Sequence, residues 1–188
     1  LTVTKEHTIL PHIAPHLTVT IPTPLKLGMP SDIYPFSFSI YQWVSGESAN
    51  NFQLDPKNQA QLALALANFL KELHSIDTKD GPPPGQNNWW RGDHISIYDQ
   101  QARSQISELK DIIDSSGALA LWNTALSSKW CKNPVWIHGD FASGNILMKE
   151  NKLSGIIDFG CIGIGDPACD LVINWTFLKG KSRDIFYD

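Results

Sequence analysis

The 188-residue chain is short of charge: 18 % of its residues are Asp, Glu, Lys or Arg, against about 25 % in an ordinary soluble domain. Fifteen Lys and Arg stand against 19 Asp and Glu, a net charge of −4. That balance lacks the basic footprint of a nucleic-acid-binding protein, so no nucleic-acid partner is expected. No apolar run approaches the roughly 20 residues that cross a bilayer, and no signal-peptide pattern is present. No membrane partner is expected either. Cysteine is scarce. Cys131, Cys161 and Cys169 are an odd set without C-x-x-C spacing, which argues against a disulfide framework and for a reducing, cytoplasmic compartment. His7, His12, His16, His74 and His94 lack a metal-site partner pattern. The chain has no internal repeat.

What is present is a core-forming pattern, with 42 % hydrophobic residues. Asp55-Pro56 is a helix start, with Asp as cap and Pro in the first turn. Leu62, Leu66, Phe69, Leu70 and Leu73 then fall on one face at helical spacing. Ala102, Ile106, Leu109 and Ile113 predict a second amphipathic helix over 98–113, and a third is expected over 118–127. Asp166 and Pro167 open a helix expected to run to Lys179. The proline-rich run from Gly81 to Gly85 reads as a stiff loop. Trp89 and Trp90 either line a pocket or pack a long loop against the core, and their large apolar area favours packing. Cys161 reads as a packed thiol near the motif described next.

The chemistry is concentrated in Ile137-His138-Gly139-Asp140-Phe141-Ala142-Ser143-Gly144-Asn145 and Ile156-Ile157-Asp158-Phe159-Gly160. The first follows H-x-D-x-x-x-x-N and the second contains D-F-G, two parts of a kinase-type site. Pro134–Ile137 predicts a strand entering the loop. Asn145–Met148 and Leu153–Ile157 predict a hairpin that brings Asn145 beside Asp158. Asp140 can orient a hydroxyl and take its proton. Asn145 and Asp158 can hold Mg²⁺, which needs only one or two protein ligands when phosphates and waters supply the rest. Each residue alone has an ordinary structural reading as cap, turn former or loop hydrogen-bonder. Their joint order and spacing favour phosphoryl transfer, whose catalysis is mostly positioning and charge neutralisation.

His138 to Asp170 resembles the aminoglycoside phosphotransferase family, a branch of the protein-kinase-like fold. The resemblance rests on H-G-D in place of the H-R-D of most protein kinases, on I-I-D-F-G, and on Gly165-Asp166-Pro167-Ala168-Cys169-Asp170-Leu171. Gly139 stands where many protein kinases carry an arginine that reads a phosphorylated loop, which argues against that mode of regulation. The resemblance implies that Phe38–Glu47 is the last strand of the smaller lobe running into the hinge. Gln42, Trp43 and Val44 would then meet the nucleotide base. Phe36, Phe38 and Ile40 alternate as a strand should. It also implies that Glu6, in a helix near the start of the chain, matches the glutamate that pairs with a phosphate-binding lysine. A glutamate is equally at home near a helix N-terminus without that role. Asp166 and Asp170 are expected to cap and to bond the catalytic loop rather than to bind an acceptor.

The expected fold is therefore α+β and protein-kinase-like, a partial smaller-lobe sheet over residues 1–46 and a mostly helical larger lobe over 47–188. No Gly-rich loop and no strand lysine precede Glu6, so the chain reads as a fragment of such an enzyme, which on its own is expected to turn over slowly or not at all. The resemblance implies an ATP- or GTP-dependent, Mg²⁺-requiring O-phosphotransferase acting on a small-molecule hydroxyl, an aminoglycoside or related antibiotic among the candidates, and thus antibiotic resistance. Two other readings stand at this point: a catalytically inactive kinase-like nucleotide-binding module, and a metal-dependent hydrolase, since H-G-D also occurs in metal sites.

Overall fold

The computed structural model describes residues 3–188. Helix α1 (Val3–Ile13) continues through Pro11 and passes into a 3₁₀ turn, Ala14–His16. Strands β1 (Pro24–Gly28) and β2 (Phe38–Tyr41) pair antiparallel. The strand expected from Phe36, Phe38 and Ile40 forms only from Phe38 onward, Phe36 lying before it, and its apolar residues are turned outward. These residues are 64 %, 40 % and 47 % exposed.

Beyond β2 the chain reaches β3 (Glu47–Ser48) and then α2 (Pro56–Ser75). Asp55 caps α2 as expected, its carboxylate accepting the Asn58 amide at 2.8 Å, and Leu62, Leu66, Phe69, Leu70 and Leu73 are all buried. Helices α3 (Asp99–Glu108) and α4 (Ser115–Ser127) follow, then β4 (Val135–Ile137), β5 (Ile146–Lys149), β6 (Lys152–Ile156) and β7 (Gly163–Gly165), and finally α5 (Ile173–Thr176) and α6 (Lys181–Tyr187). Among the described residues the strands form three small antiparallel sheets, ordered β1-β2, β3-β5-β6 and β4-β7. No helix among the described residues is long and apolar enough to cross a membrane.

Contacts divide the chain into two compact units, residues 1–92 with 134–188, and residues 93–133. The larger unit holds the core. Ile9, Leu10 and Ile13 of α1, the apolar face of α2, Trp136, Ile146, Met148, Ile156 and Phe159 form one buried cluster. The smaller unit holds α3 and α4. Asp99 joins them, accepting from Arg103 at 2.8 Å and from the Trp122 indole at 2.6 Å, and these two bonds, the indole first, hold its carboxyl below the usual range. Helix α3 ends at Glu108, short of the expected Ile113. Leu109 and Ile113 are both 39 % exposed, so no burial rewards carrying the helix through them.

The expected helix over 166–179 is also interrupted. Asp166 accepts the Ala168 amide at 2.9 Å, but Pro167–Val172 is 3₁₀ and only Ile173–Thr176 is α-helical. Trp89 does not pack inside. It is 60 % exposed, while Asn88 before it is 2 % exposed. The Asn88 carboxamide accepts the Gly85 amide at 2.9 Å and donates to the Arg91 carbonyl at 3.1 Å. Burying those polar groups is tolerable because each is bonded, so the buried amide ties the loop, while Trp90 is half-buried.

Candidate active site

Strand β4 delivers His138, Gly139 and Asp140 at its C-terminal end. The turn is forced at Gly139, whose φ is +81° and where a Cβ would lie 2.4 Å from the Cys161 carbonyl oxygen. Only glycine fits both conditions, so the arginine of H-R-D has no room here. His138 is fully buried. Its Nε2 donates to the Ile157 carbonyl at 3.0 Å, and its Nδ1 accepts the Asp140 amide at 3.3 Å. Burial drives its pKa down to about 4, so the ring is neutral with the proton on Nε2. Both nitrogens are occupied, and His138 has none to offer a metal.

Asp170 holds the same loop from below. One carboxylate oxygen accepts the His138 amide at 2.7 Å and the other accepts the Gly139 amide at 2.8 Å. Its pKa is pushed up to about 7, first by burial, with the two amides pulling the other way. The bonding role expected of Asp170 and the capping role expected of Asp166 are both present.

Asn145 donates through Nδ2 to the Asp140 carbonyl at 2.9 Å and to Asp140 Oδ2 at 3.2 Å. This turns its Oδ1 away from Asp140. The expected hairpin forms, with Ile146 opposite Ile156, and the Ile157 amide donates to the Asn145 carbonyl at 3.0 Å. Asp158 is therefore one residue beyond the cross-strand neighbour of Asn145. It has left-handed backbone angles, φ 64° and ψ 65°, a conformation that costs a side-chain-bearing residue about 1–2 kcal/mol. Phe159 anchors the turn. It is buried, with its ring 4.5 Å from that of His138. Phe141 stacks on Phe69 of α2 at 5.6 Å. The catalytic loop and the Asp158 turn are thus seated on α2 through buried rings.

A cleft of about 480 Å³ is lined by Glu6, Pro22, Tyr41, Gln42, Trp43, Val44, Gly46, Leu147, Ile157 and Asp158. The four residues that the resemblance assigned to nucleotide binding thus meet Asp158 in one cavity, while Asp140 and Asn145 lie outside its lining. Its members are placed differently. Val44 is buried and Trp43 is 86 % exposed. The Gln42 amide is committed to the Thr23 carbonyl at 2.8 Å. The Glu6 carboxylate accepts the Tyr41 hydroxyl at 3.1 Å. Burial raises its pKa, and the Asp158 charge adds to the rise. Sequence reasoning missed Tyr41. The Phe-x-Ile-Tyr alternation could have placed it on the strand end facing the cleft.

Among the described residues no group of three or more His, Cys, Asp or Glu is arranged to hold a metal, which removes the support for a hydrolase built on a protein-ligated metal. Asn145 and Asp158 offer two oxygen donors. That set suits Mg²⁺, which retains waters and completes its shell on phosphates.

The model of the phosphotransferase enzyme family matches residues 1–188. An aminoglycoside 3'-phosphotransferase of Escherichia coli is 30 % identical over 130 residues, 65 % of this chain and 45 % of that protein. The chain therefore spans about half the length of that relative. Among solved structures, the GDP and kanamycin complex of APH(2")-IIia superposes with a TM-score of 0.76 at 24 % identity, covering 98 % of this chain and 64 % of that one. The apoenzyme of macrolide 2'-phosphotransferase MphH from Brachybacterium faecium gives 0.65 at 16 %, covering 97 % and 61 %. The fold is thus the α+β, protein-kinase-like fold of these enzymes. With the family model matching residues 1–188, the chain belongs to the phosphotransferase enzyme family.

Proposed function

We propose that the protein to which this chain belongs transfers the terminal phosphoryl group of ATP or GTP to a hydroxyl of a small molecule. The observation that carries this is the convergence of Asp140, Asn145 and Asp158 on one turn-and-hairpin frame at the edge of the hinge-lined cleft. Residues 1–46 contribute the smaller-lobe segment and hinge, and residues 47–188 the larger lobe. The Gln42–Val44 segment meets the base. Glu6 serves the phosphate end of the cleft, where it shares the lining with Asp158.

Asp140 receives the acceptor hydroxyl, orients its oxygen and takes its proton as the oxygen attacks. Asn145 fixes the Asp140 carboxylate through Nδ2, so the base is aimed before the acceptor arrives. Asn145 Oδ1 and the Asp158 carboxylate would hold Mg²⁺, which when bound neutralises charge on the phosphates. A frame of buried bonds on both sides of His138 keeps the loop from relaxing as charge develops.

The acceptor class follows the relatives. The E. coli protein is named for an aminoglycoside, and the superposed structures for kanamycin binding and for a macrolide. We assign a hydroxyl-bearing antibiotic or related metabolite, with resistance as the biological outcome. The mildly acidic chain is compatible with a cationic acceptor.

The test is transfer itself. The protein is incubated with MgATP or MgGTP and a panel of aminoglycosides, macrolides and metabolite alcohols, and each acceptor is weighed by mass spectrometry. A mass gain of one phosphate that disappears in Asp140→Ala is expected. A gain that survives in Asp140→Ala contradicts the assignment of the base.

A further inference from the structure

Among the described residues, Lys5, in the first turn of α1, forms no ion pair with a carboxylate. Its ammonium instead donates to three main-chain carbonyls, of Gly160 at 2.7 Å, Ile162 at 3.1 Å and Asn87 at 3.1 Å. Three donors meeting three convergent acceptors use the full capacity of an ammonium group. The acceptors come from two separate segments. Gly160 and Ile162 belong to the turn after Asp158, and Asn87 belongs to the loop held by the buried Asn88. Lys5 is half-buried, which lowers its pKa and strengthens its charge-assisted bonds. The turn it grips is the one in which Asp158 adopts left-handed angles and the Cys161 carbonyl crowds Gly139.

We propose that Lys5 is a positioning residue: it braces the turn after Asp158 from α1 and so keeps the Asp158 carboxylate set for the magnesium–nucleotide complex. The adjacent Glu6 accepts the Tyr41 hydroxyl. Neighbouring residues of one helix therefore connect to two walls of the same cleft, Glu6 to Tyr41 at the end of β2 and Lys5 to the turn after Asp158. This inference rests on the assignment of Asp158 as a magnesium ligand.

The experiment compares wild type with Lys5→Met, which keeps length and loses all three bonds, and with Lys5→Arg. Glu72→Gln, which weakens a different tie at Thr18, controls for general destabilisation. Two quantities are read. The first is the alkylation rate of Cys161 by iodoacetamide, resolved by peptide mass mapping. Cys161 lies between the two gripped carbonyls and is half-buried. Removing the ammonium removes a charge that lowers the thiol pKa, so electrostatics alone would slow the reaction. A rise of about tenfold in Lys5→Met therefore reports opening of the turn. The second is the Mg²⁺ midpoint for ADP binding, expected to rise about tenfold while metal-free ADP affinity stays within about twofold. Lys5→Arg, whose planar fork cannot reach three convergent carbonyls, should shift both readings in the same direction by less. It also carries the test if Lys5→Met does not fold.

An unchanged Cys161 rate overturns the brace. A raised rate with an unchanged Mg²⁺ midpoint overturns its role in positioning Asp158. Equal loss of metal-free and metal-bound ADP reduces Lys5 to a structural residue. If wild type itself fails to bind MgADP, the proposed function fails, and the link from Lys5 to magnesium fails with it, while the Cys161 rates still decide whether the turn is braced.

Discussion

Asp170 grips His138 by the main chain: its two carboxylate oxygens take the amides of His138 and Gly139 at 2.7 and 2.8 Å, while the imidazole bonds elsewhere, to Ile157. Two buried titratable groups thus fix the loop that presents Asp140, and they titrate in opposition. His138 has a native pKa near 4, below the 6.5 of a free imidazole. Between those values the unfolded chain binds the proton, so this group makes stability fall as pH falls. Asp170 has a native pKa near 7, above the ordinary 3.8. Between those values the folded chain holds the proton, so this group makes stability fall as pH rises.

From about pH 4 to 6.5 the two slopes, each up to about 1.4 kcal/mol per pH unit, cancel. In urea unfolding these two groups should together contribute almost no slope across that window, and Asp170 should contribute a decline as pH rises through about 7. Asp170→Asn should lose the decline above 6.5 and gain a loss of stability below it. An Asp170→Asn curve with the same shape as wild type from about pH 4 to about 7.5 would show that Asp170 does not offset His138.

Gly139→Ala should disable the loop. The new Cβ meets the Cys161 oxygen at 2.4 Å and Cys161 Cβ at 2.9 Å, at a φ of +81°. Neither neighbour is the end of a flexible side chain. We expect a loss of about 2–4 kcal/mol in chemical unfolding, with acceptor phosphorylation lost wherever the fold survives. Gly144→Ala is the comparison, because its nearest heavy atom there is Asn50 Nδ2 at 3.7 Å, and it should cost under about 1 kcal/mol.

How much of this was legible beforehand differs by element. Helix α2 was legible because Asp55-Pro56 and the leucine spacing agree, and because its face meets a core. The catalytic hairpin was legible because strand, turn and motif coincide. The ends of α3 and of the segment after Asp166 were not, since the apolar pattern continues past Glu108 with nothing to bury against and a cap with proline sets only a beginning. The outward face of β2 was not, because alternation tells that one side differs, not which side is covered. In the site, Asp140, Asn145 and Asp158 carried a spacing. Lys5 carried none, as its acceptors are carbonyls 155 and 157 residues away, and a main-chain acceptor leaves no mark on residue identity. Asn88 was hidden behind the more conspicuous tryptophans.

Tyr41→Phe separates the hinge tie from cleft shape. It removes the hydroxyl that donates to Glu6 at 3.1 Å and keeps the ring that lines the cleft. Glu6 loses a bond that lowers its pKa, so its carboxyl should titrate higher still. We expect a stability loss of about 1 kcal/mol and MgADP affinity within about threefold of wild type. A larger loss of affinity, measured by calorimetry, would give the hydroxyl a direct part in binding nucleotide.

Leu66→Ala tests the seat beneath the loop. Leu66 is fully buried in the cluster that contains Phe69, Phe141 and Phe159. A cost of about 2–5 kcal/mol in urea unfolding is expected, and a cost under about 1 kcal/mol would mean that α2 does not carry the core.

The most direct measurement is calorimetric titration of ADP into the 188-residue protein with and without Mg²⁺, repeated on Asp158→Asn. Binding that strengthens at least about tenfold with Mg²⁺, and loses that gain in Asp158→Asn, is the expected result. Binding indifferent to Mg²⁺, or a magnesium gain that persists in Asp158→Asn, would contradict the assignment of the hinge-to-Asp158 cleft as a magnesium–nucleotide site.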